Sequence, residues 1–165
     1  MSATAGSREL IKQLKDLLSK GNAHVTLDDA LDNIPEKIRG IVPDKLPYSI
    51  WQVMEHLRIC QWDILDFSRN PDYKEMNWPA DYWPKETAPA DDVTWNESIK
   101  QIKKDRKDFI ALLEKDSADL YTPFKWGTGQ NLLREALLIA DHNSYHVGEF
   151  ASMRQVMGSW PPDHR

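Results

Sequence analysis

The sequence predicts an all-α protein built as a four-helix bundle, and three observations carry that reading. Four stretches repeat apolar residues at a period near 3.6, helix-capping patterns or glycine breaks mark their starts, and no stretch alternates apolar and polar residues as a half-buried strand would. At 165 residues the chain has the size of one domain, taken here as residues 1–165 with at most a small appendage. A domain of that length hides about 70% of the surface its unfolded form exposes, so it needs no covalent staples.

The first helix carries Leu10, Ile11, Leu14, Leu17 and Leu18 on one stripe, with Ser7 expected to cap its start and Gly21 to end it. Thr26 to Gly40 then reads as one or two short helical turns broken by Pro35. The second long helix starts at Ser49, where Gln52 completes a capping box, and runs through Trp51, Val53, Met54, Leu57, Cys60, Ile64 and Phe67 to stop before Pro71. A third opens on Thr94 as cap with Glu97 reaching back, and spaces Trp95, Ile99, Ile102, Phe109 and Leu113 by helical turns. The fourth follows the Gly127-Thr128-Gly129 break and continues to about Met157, with Leu132, Ala136, Ile139, Phe150, Met153 and Met157 on its apolar side.

Between the second and third helices, Asn70 to Val93 has no helical period, which makes it a long aromatic and proline-rich crossover. Connections beyond about 12–15 residues are uncommon unless they have a function or lack order. Tyr73, Trp78-Pro79 and Tyr82-Trp83-Pro84 make this one too aromatic for disorder, so Trp78, Tyr82 and Trp83 are expected to pack onto the bundle. Its length would let the second and third helices run parallel. Asn70 to Glu97 holds seven acids and two lysines, a balance that a solvated loop accounts for without any partner.

Composition narrows the function. Apolar residues make up 41% and charged residues 28%, an ordinary globular balance. The net charge of −5 argues against nucleic acid or an anionic membrane as main partner. The single cysteine, Cys60, excludes an internal disulfide and any multi-cysteine zinc site, and fits a reducing compartment. No apolar run is longer than that of Ala136 to Ala140, far short of the ~20 residues of a membrane helix. Arg8, Lys12 and Lys15 lie in an amphipathic pattern without the apolar core of a signal peptide. The expectation is a soluble, cytoplasmic protein.

The chemistry rests with the histidines. His142 and His146, four apart on the fourth helix, project from one face about one turn apart, which lets two imidazoles reach one metal ion. His56 is a polar residue among Val53, Met54 and Leu57, and needs a partner or water. A bundle can turn all three inward, and three neutral histidines with an open position are the ligand set of a catalytic rather than a closed structural metal site. A histidine pair at this spacing is more often a surface or hydrogen-bonded pair, so both readings stay open. A zincin motif is absent, because Asn143 rather than Glu follows His142, and a metalloprotease is disfavoured. His24 and His164, near the termini, read as structural or solvated.

Four segments stand out together: Leu46-Pro-Tyr-Ser-Ile-Trp-Gln-Val-Met-Glu-His56-Leu-Arg-Ile-Cys-Gln-Trp-Asp63, Phe67-Ser-Arg-Asn-Pro71 with the aromatic loop after it, His142-Asn-Ser-Tyr-His146-Val-Gly148-Glu149, and Trp160-Pro161-Pro162. Taken together they resemble the DinB/YfiT-like superfamily of four-helix metal-binding proteins. The resemblance covers roughly residues 7 to 162. It implies a bacterial source and a divalent ion (zinc, nickel, iron or manganese) on His56, His142 and His146. It also implies chemistry akin to transferases and an isomerase that use low-molecular-weight thiols. The residue after Gly148 is often Gln in that family and is Glu149 here, which adds a carboxylate beside the ligands.

Glu149 lies on the stripe of His142 and His146 and can hydrogen-bond a ligand imidazole or a water at the metal; Asp63, seven residues beyond His56, can do likewise or face solvent. Cys60, one turn from His56, is a soft fourth ligand or, more commonly for a helix-interior cysteine, a small core residue. Gly148, unfavourable inside a helix, is read as allowing close helix packing beside His146. Two functions remain. One is a metal-dependent hydrolase or thiol S-transferase acting on a small-molecule substrate. The other is a non-catalytic module of stress physiology that binds a metal, a small molecule or a protein; a homodimer stays open for either.

Overall fold

The computed structural model describes residues 5–116 and 118–161; Pro162 and His164 lie outside the described residues. Six helices and no strand form among them: α1 (Ala5–Ser19), α2 (Leu27–Leu31), α3 (Glu36–Arg39), α4 (Ile50–Arg69), α5 (Asp92–Leu113) and α6 (Leu132–Val156). None of the described helices is long and apolar enough to cross a membrane.

Capping decides where the long helices begin. At α4 the expected box forms: the Ser49 hydroxyl accepts from the Gln52 N–H, and the Gln52 side chain accepts from the Ser49 N–H. At α5 the cap is Asp91 rather than Thr94. The Asp91 carboxylate accepts both the Thr94 N–H at 2.7 Å and the Thr94 hydroxyl at 2.8 Å, so Thr94 sits inside the first turn and Glu97 is exposed. A charged acceptor offers the helix N-terminus more than a hydroxyl does, which is why the helix begins a turn early. Ser7 likewise falls within α1 instead of capping it, and Leu17 faces solvent at 44% exposure while Leu14 and Leu18 are buried.

The core divides into two apolar clusters. One joins Val53, Met54 and Leu57 of α4 to Trp95 and Ile102 of α5, Val147, Phe150 and Met153 of α6, and the short helices α2 and α3. The other joins Ile64 and Leu65 of α4 to Phe109 and Leu113 of α5, Ala136 and Ile139 of α6, and Leu14 and Leu18 of α1. The first halves of α4 and α5 therefore share one cluster with the second half of α6. It follows that α4 and α5 run in the same direction and α6 runs against both. Between the clusters lies a layer of buried polar side chains: His56 and Gln61 on α4, Asp105 on α5, and His146 on α6. Gln61 donates to the Ile102 carbonyl at 2.7 Å and accepts from the half-buried Asn143 at 3.2 Å, tying the three helices together at this level.

The segment between α4 and α5 lies along α4 in the opposite sense. Ser49 donates to the Thr87 carbonyl at 2.5 Å, Gln52 to the Pro84 carbonyl at 3.4 Å, and His56 meets the Tyr82 carbonyl at 2.9 Å. Asp63 then accepts from the Tyr82 and Tyr73 hydroxyls, each at 2.8 Å. These four residues share one face of α4, since their spacing is close to whole helical turns. Gly40 completes the seat, because a Cβ there would lie 2.4 Å from the Cβ of Ala88. The connection is thus bound to α4, though Trp78 stays 68% exposed and meets the Tyr82 and His56 rings only at an angle, while Tyr82 and Trp83 are half-buried.

Candidate metal centre

His56 enters the site from the middle of α4 and is fixed on two sides. A carbonyl oxygen can only accept, so the contact to Tyr82 places the imidazole proton on Nδ1 and leaves the Nε2 lone pair free. The Trp83 indole lies flat on the ring, centroids 4.0 Å apart and planes 4° from parallel, and stacks on Tyr48 at 3.9 Å with its other face.

His146 comes from α6 with its tautomer fixed the same way. Its Nδ1 lies 2.6 Å from Glu149 Oε2, so the proton sits toward the carboxylate and Nε2 is again the free nitrogen. Glu149 therefore holds one nitrogen of a histidine on its own helix. His142 completes the group: its Nε2 lies 3.3 Å from His56 Nε2 and 3.1 Å from His146 Nε2. The three rings stand edge-on to one another, with centroids 4.4 to 5.2 Å apart.

The spacing of these nitrogens can be compared with coordination geometry. Two imidazole nitrogens, each about 2.0–2.1 Å from a tetrahedral ion, stand about 3.3–3.4 Å apart. His142 Nε2 stands close to that spacing from each of its two neighbours. Burial favours the neutral form of two of the three rings. It pushes His142 down to about 3, helped by the neighbouring His146 and His56, and it lowers His56 against the opposing Tyr82 hydrogen bond. Neutral imidazoles are the form that ligates.

Cys60 is also at hand. His56, Cys60 and His142 place donor atoms within 4.8 Å of one another, a group with the chemistry to hold a metal ion. The Cys60 sulfur lies 3.6 Å from His56 Nδ1 and 3.7 Å from Nε2, beside the ring rather than in line with its free nitrogen. Burial first, and the Asp63 charge second, push its thiol up to about 12.

Asp63 does not serve an imidazole directly. Both its oxygens are taken by the tyrosines of the loop, and burial together with the Asp63 carboxylate raises both phenols, which keeps them protonated donors. Its link to the site runs through Tyr82: the side chain anchors the residue whose carbonyl orients His56. His24, set apart from this group, meets the Val25 carbonyl at 2.7 Å and Ser144 at 3.2 Å. The roles of Trp83, Tyr82 and Tyr73 had one trace in the sequence, the density of aromatics in a charged loop; their register on α4 had none.

The chain matches the family model of the DinB superfamily over residues 22–150, a span that contains every residue of the cluster. No curated protein and no solved structure matches it.

Proposed function

The chain belongs to the DinB superfamily, and on that premise we propose that His56, His142 and His146 hold one divalent metal ion at the centre of a four-helix bundle. The function proposed is a metal-dependent enzyme of the hydrolase or thiol S-transferase type, acting on a small molecule and, in the second case, on a low-molecular-weight thiol. The observation that carries this is the approach of His142 Nε2 to the Nε2 atoms of both His56 and His146, each of which has its Nδ1 proton committed to a fixed acceptor. Neutral ligands would leave a bound divalent ion its full charge, so it would supply Lewis acidity toward an oxygen or sulfur nucleophile.

The chain's own residues supply orientation. Glu149 holds the Nδ1 proton of His146, the Tyr82 carbonyl holds that of His56, and Trp83 covers one face of His56 from water. A second reading takes Cys60 in place of His146, supported by the donor spacing within the His56, Cys60 and His142 group. The place of its sulfur beside the His56 ring, rather than in line with the free nitrogen, favours the three-histidine set.

The test is a titration of zinc, nickel and manganese into the protein and its His56→Ala, His146→Ala and Cys60→Ser variants, followed by thiol-transfer and esterase screens of the loaded protein. The proposal expects about one ion per chain, lost or weakened at least tenfold by either histidine change and kept by Cys60→Ser. Uptake unaffected by His146→Ala would overturn the ligand set. Uptake without activity in either screen would leave a metal-binding module and remove the enzyme reading.

A further inference from the structure

Gly148 sits in the interior of α6, two residues beyond His146, where a glycine weakens a helix. Close packing does not explain it. A Cβ built at Gly148 meets no atom within 4 Å, in contrast to Gly40, where one would collide with Ala88. The open space belongs to a cleft of about 370 Å³ between Pro47, Tyr48 and Val53 on one side and Tyr145, Glu149 and Met153 on the other. That volume lies within the roughly 300–1,000 Å³ of small-molecule clefts.

We propose that this cleft binds a neutral, apolar organic molecule, which lies against the bare backbone of Gly148. Glycine is suited to places where a ligand must approach main chain closely, and a side chain here would fill the space the ligand takes. Glu149 is the one charged residue in the lining, so an anion is disfavoured and a neutral group fits. The other clefts of comparable size differ: one is lined by Asp28, Asp32, Arg39 and Lys103, the other by Asp63, Glu75, Arg134 and Glu135.

The cleft adjoins the histidine cluster through two shared walls. Glu149 reaches His146 with one oxygen, and Tyr48 stacks on the indole that covers His56. That the bound molecule is the substrate of the metal centre rests on the function proposed above; the existence of the site does not.

The experiment uses the full chain, metal-free and zinc-loaded, with the neutral fluorophore N-phenyl-1-naphthylamine and its sulfonated counterpart 8-anilinonaphthalene-1-sulfonate. The neutral dye is expected to bind both forms, and the sulfonate at least several-fold more weakly. Gly148→Leu should weaken the neutral dye at least tenfold, with zinc uptake unchanged and a melting temperature equal or higher, since leucine favours a helix over glycine. Ser152→Phe, from another part of the wall, should weaken it as well. Equal dye affinity in the parent and Gly148→Leu, or preference for the sulfonate, would overturn the proposal. Zinc uptake without dye binding would overturn it while leaving the metal centre intact; dye binding without zinc uptake would do the reverse.

Discussion

The indole of Trp83 lies parallel to the imidazole of His56, 4.0 Å away, and so joins the long interhelical segment to the group that most depends on being held still. A second stack, on Tyr48, means that Trp83 is clamped from both faces. Aromatic pairs contribute about 0.5–1.5 kcal/mol each beyond the area they bury. Trp83→Ala is therefore expected to lower stability by about 1–3 kcal/mol and to weaken metal affinity, because the flat face of His56 loses its stacking partner. Urea unfolding and a zinc titration on the same preparation check both halves. A variant with parental affinity would show that the stack is packing alone.

Asp63 should behave as a positioning residue. Hydrogen bonds to charged groups contribute about 1.5–3 kcal/mol, and changes in the support of metal ligands cost about 10–100-fold in affinity. Asp63→Ala frees both tyrosine hydroxyls at a half-buried site and is expected to cost roughly 3 kcal/mol, the low end of the sum of the two bonds. Metal affinity should fall by about tenfold through the Tyr82 carbonyl. Amide hydrogen exchange should quicken from residue 73 to 82. Protection unchanged there would mean that the loop is held by its other contacts.

Acid should destabilise the metal-free protein through the histidines. His142 stays neutral in the fold down to about 3, whereas an unfolded histidine takes up a proton near 6.5. Between those values the unfolded chain binds the extra proton. This contribution is therefore complete above pH 6.5 and is lost as the pH falls toward 3, at up to about 1.4 kcal/mol per pH unit. The lowered His56 acts in the same direction. Urea midpoints between pH 7 and 5 should fall more steeply for the parent than for His142→Gln, and parallel curves would refute the assignment.

The helices were legible because their information is local. The Ser49–Gln52 box and the apolar stripes of α4, α5 and α6 each need only one turn of neighbours. Asp91 was missed because Thr94 and Glu97 form the same kind of pattern three residues later, and only the competition between a carboxylate and a hydroxyl resolves it. Of the site, the pair His142 and His146 follows from helical spacing, and His56 from being a polar residue on an apolar helix. The tyrosine anchor at Asp63, the exposure of Trp78 and the open space over Gly148 depend on the path of a segment with no period, and no local rule encodes that path.

Under the proposed function, three imidazole nitrogens, and not the Cys60 sulfur, bind the ion. X-ray absorption fine structure at the zinc edge, on protein loaded with one equivalent, tests it most directly. The expected spectrum has a shell of nitrogen or oxygen at about 2.0–2.1 Å with the outer scattering of imidazole, fitted by three histidines, and no sulfur. A sulfur shell near 2.3 Å, or imidazole scattering that accounts for fewer than three rings, would contradict it.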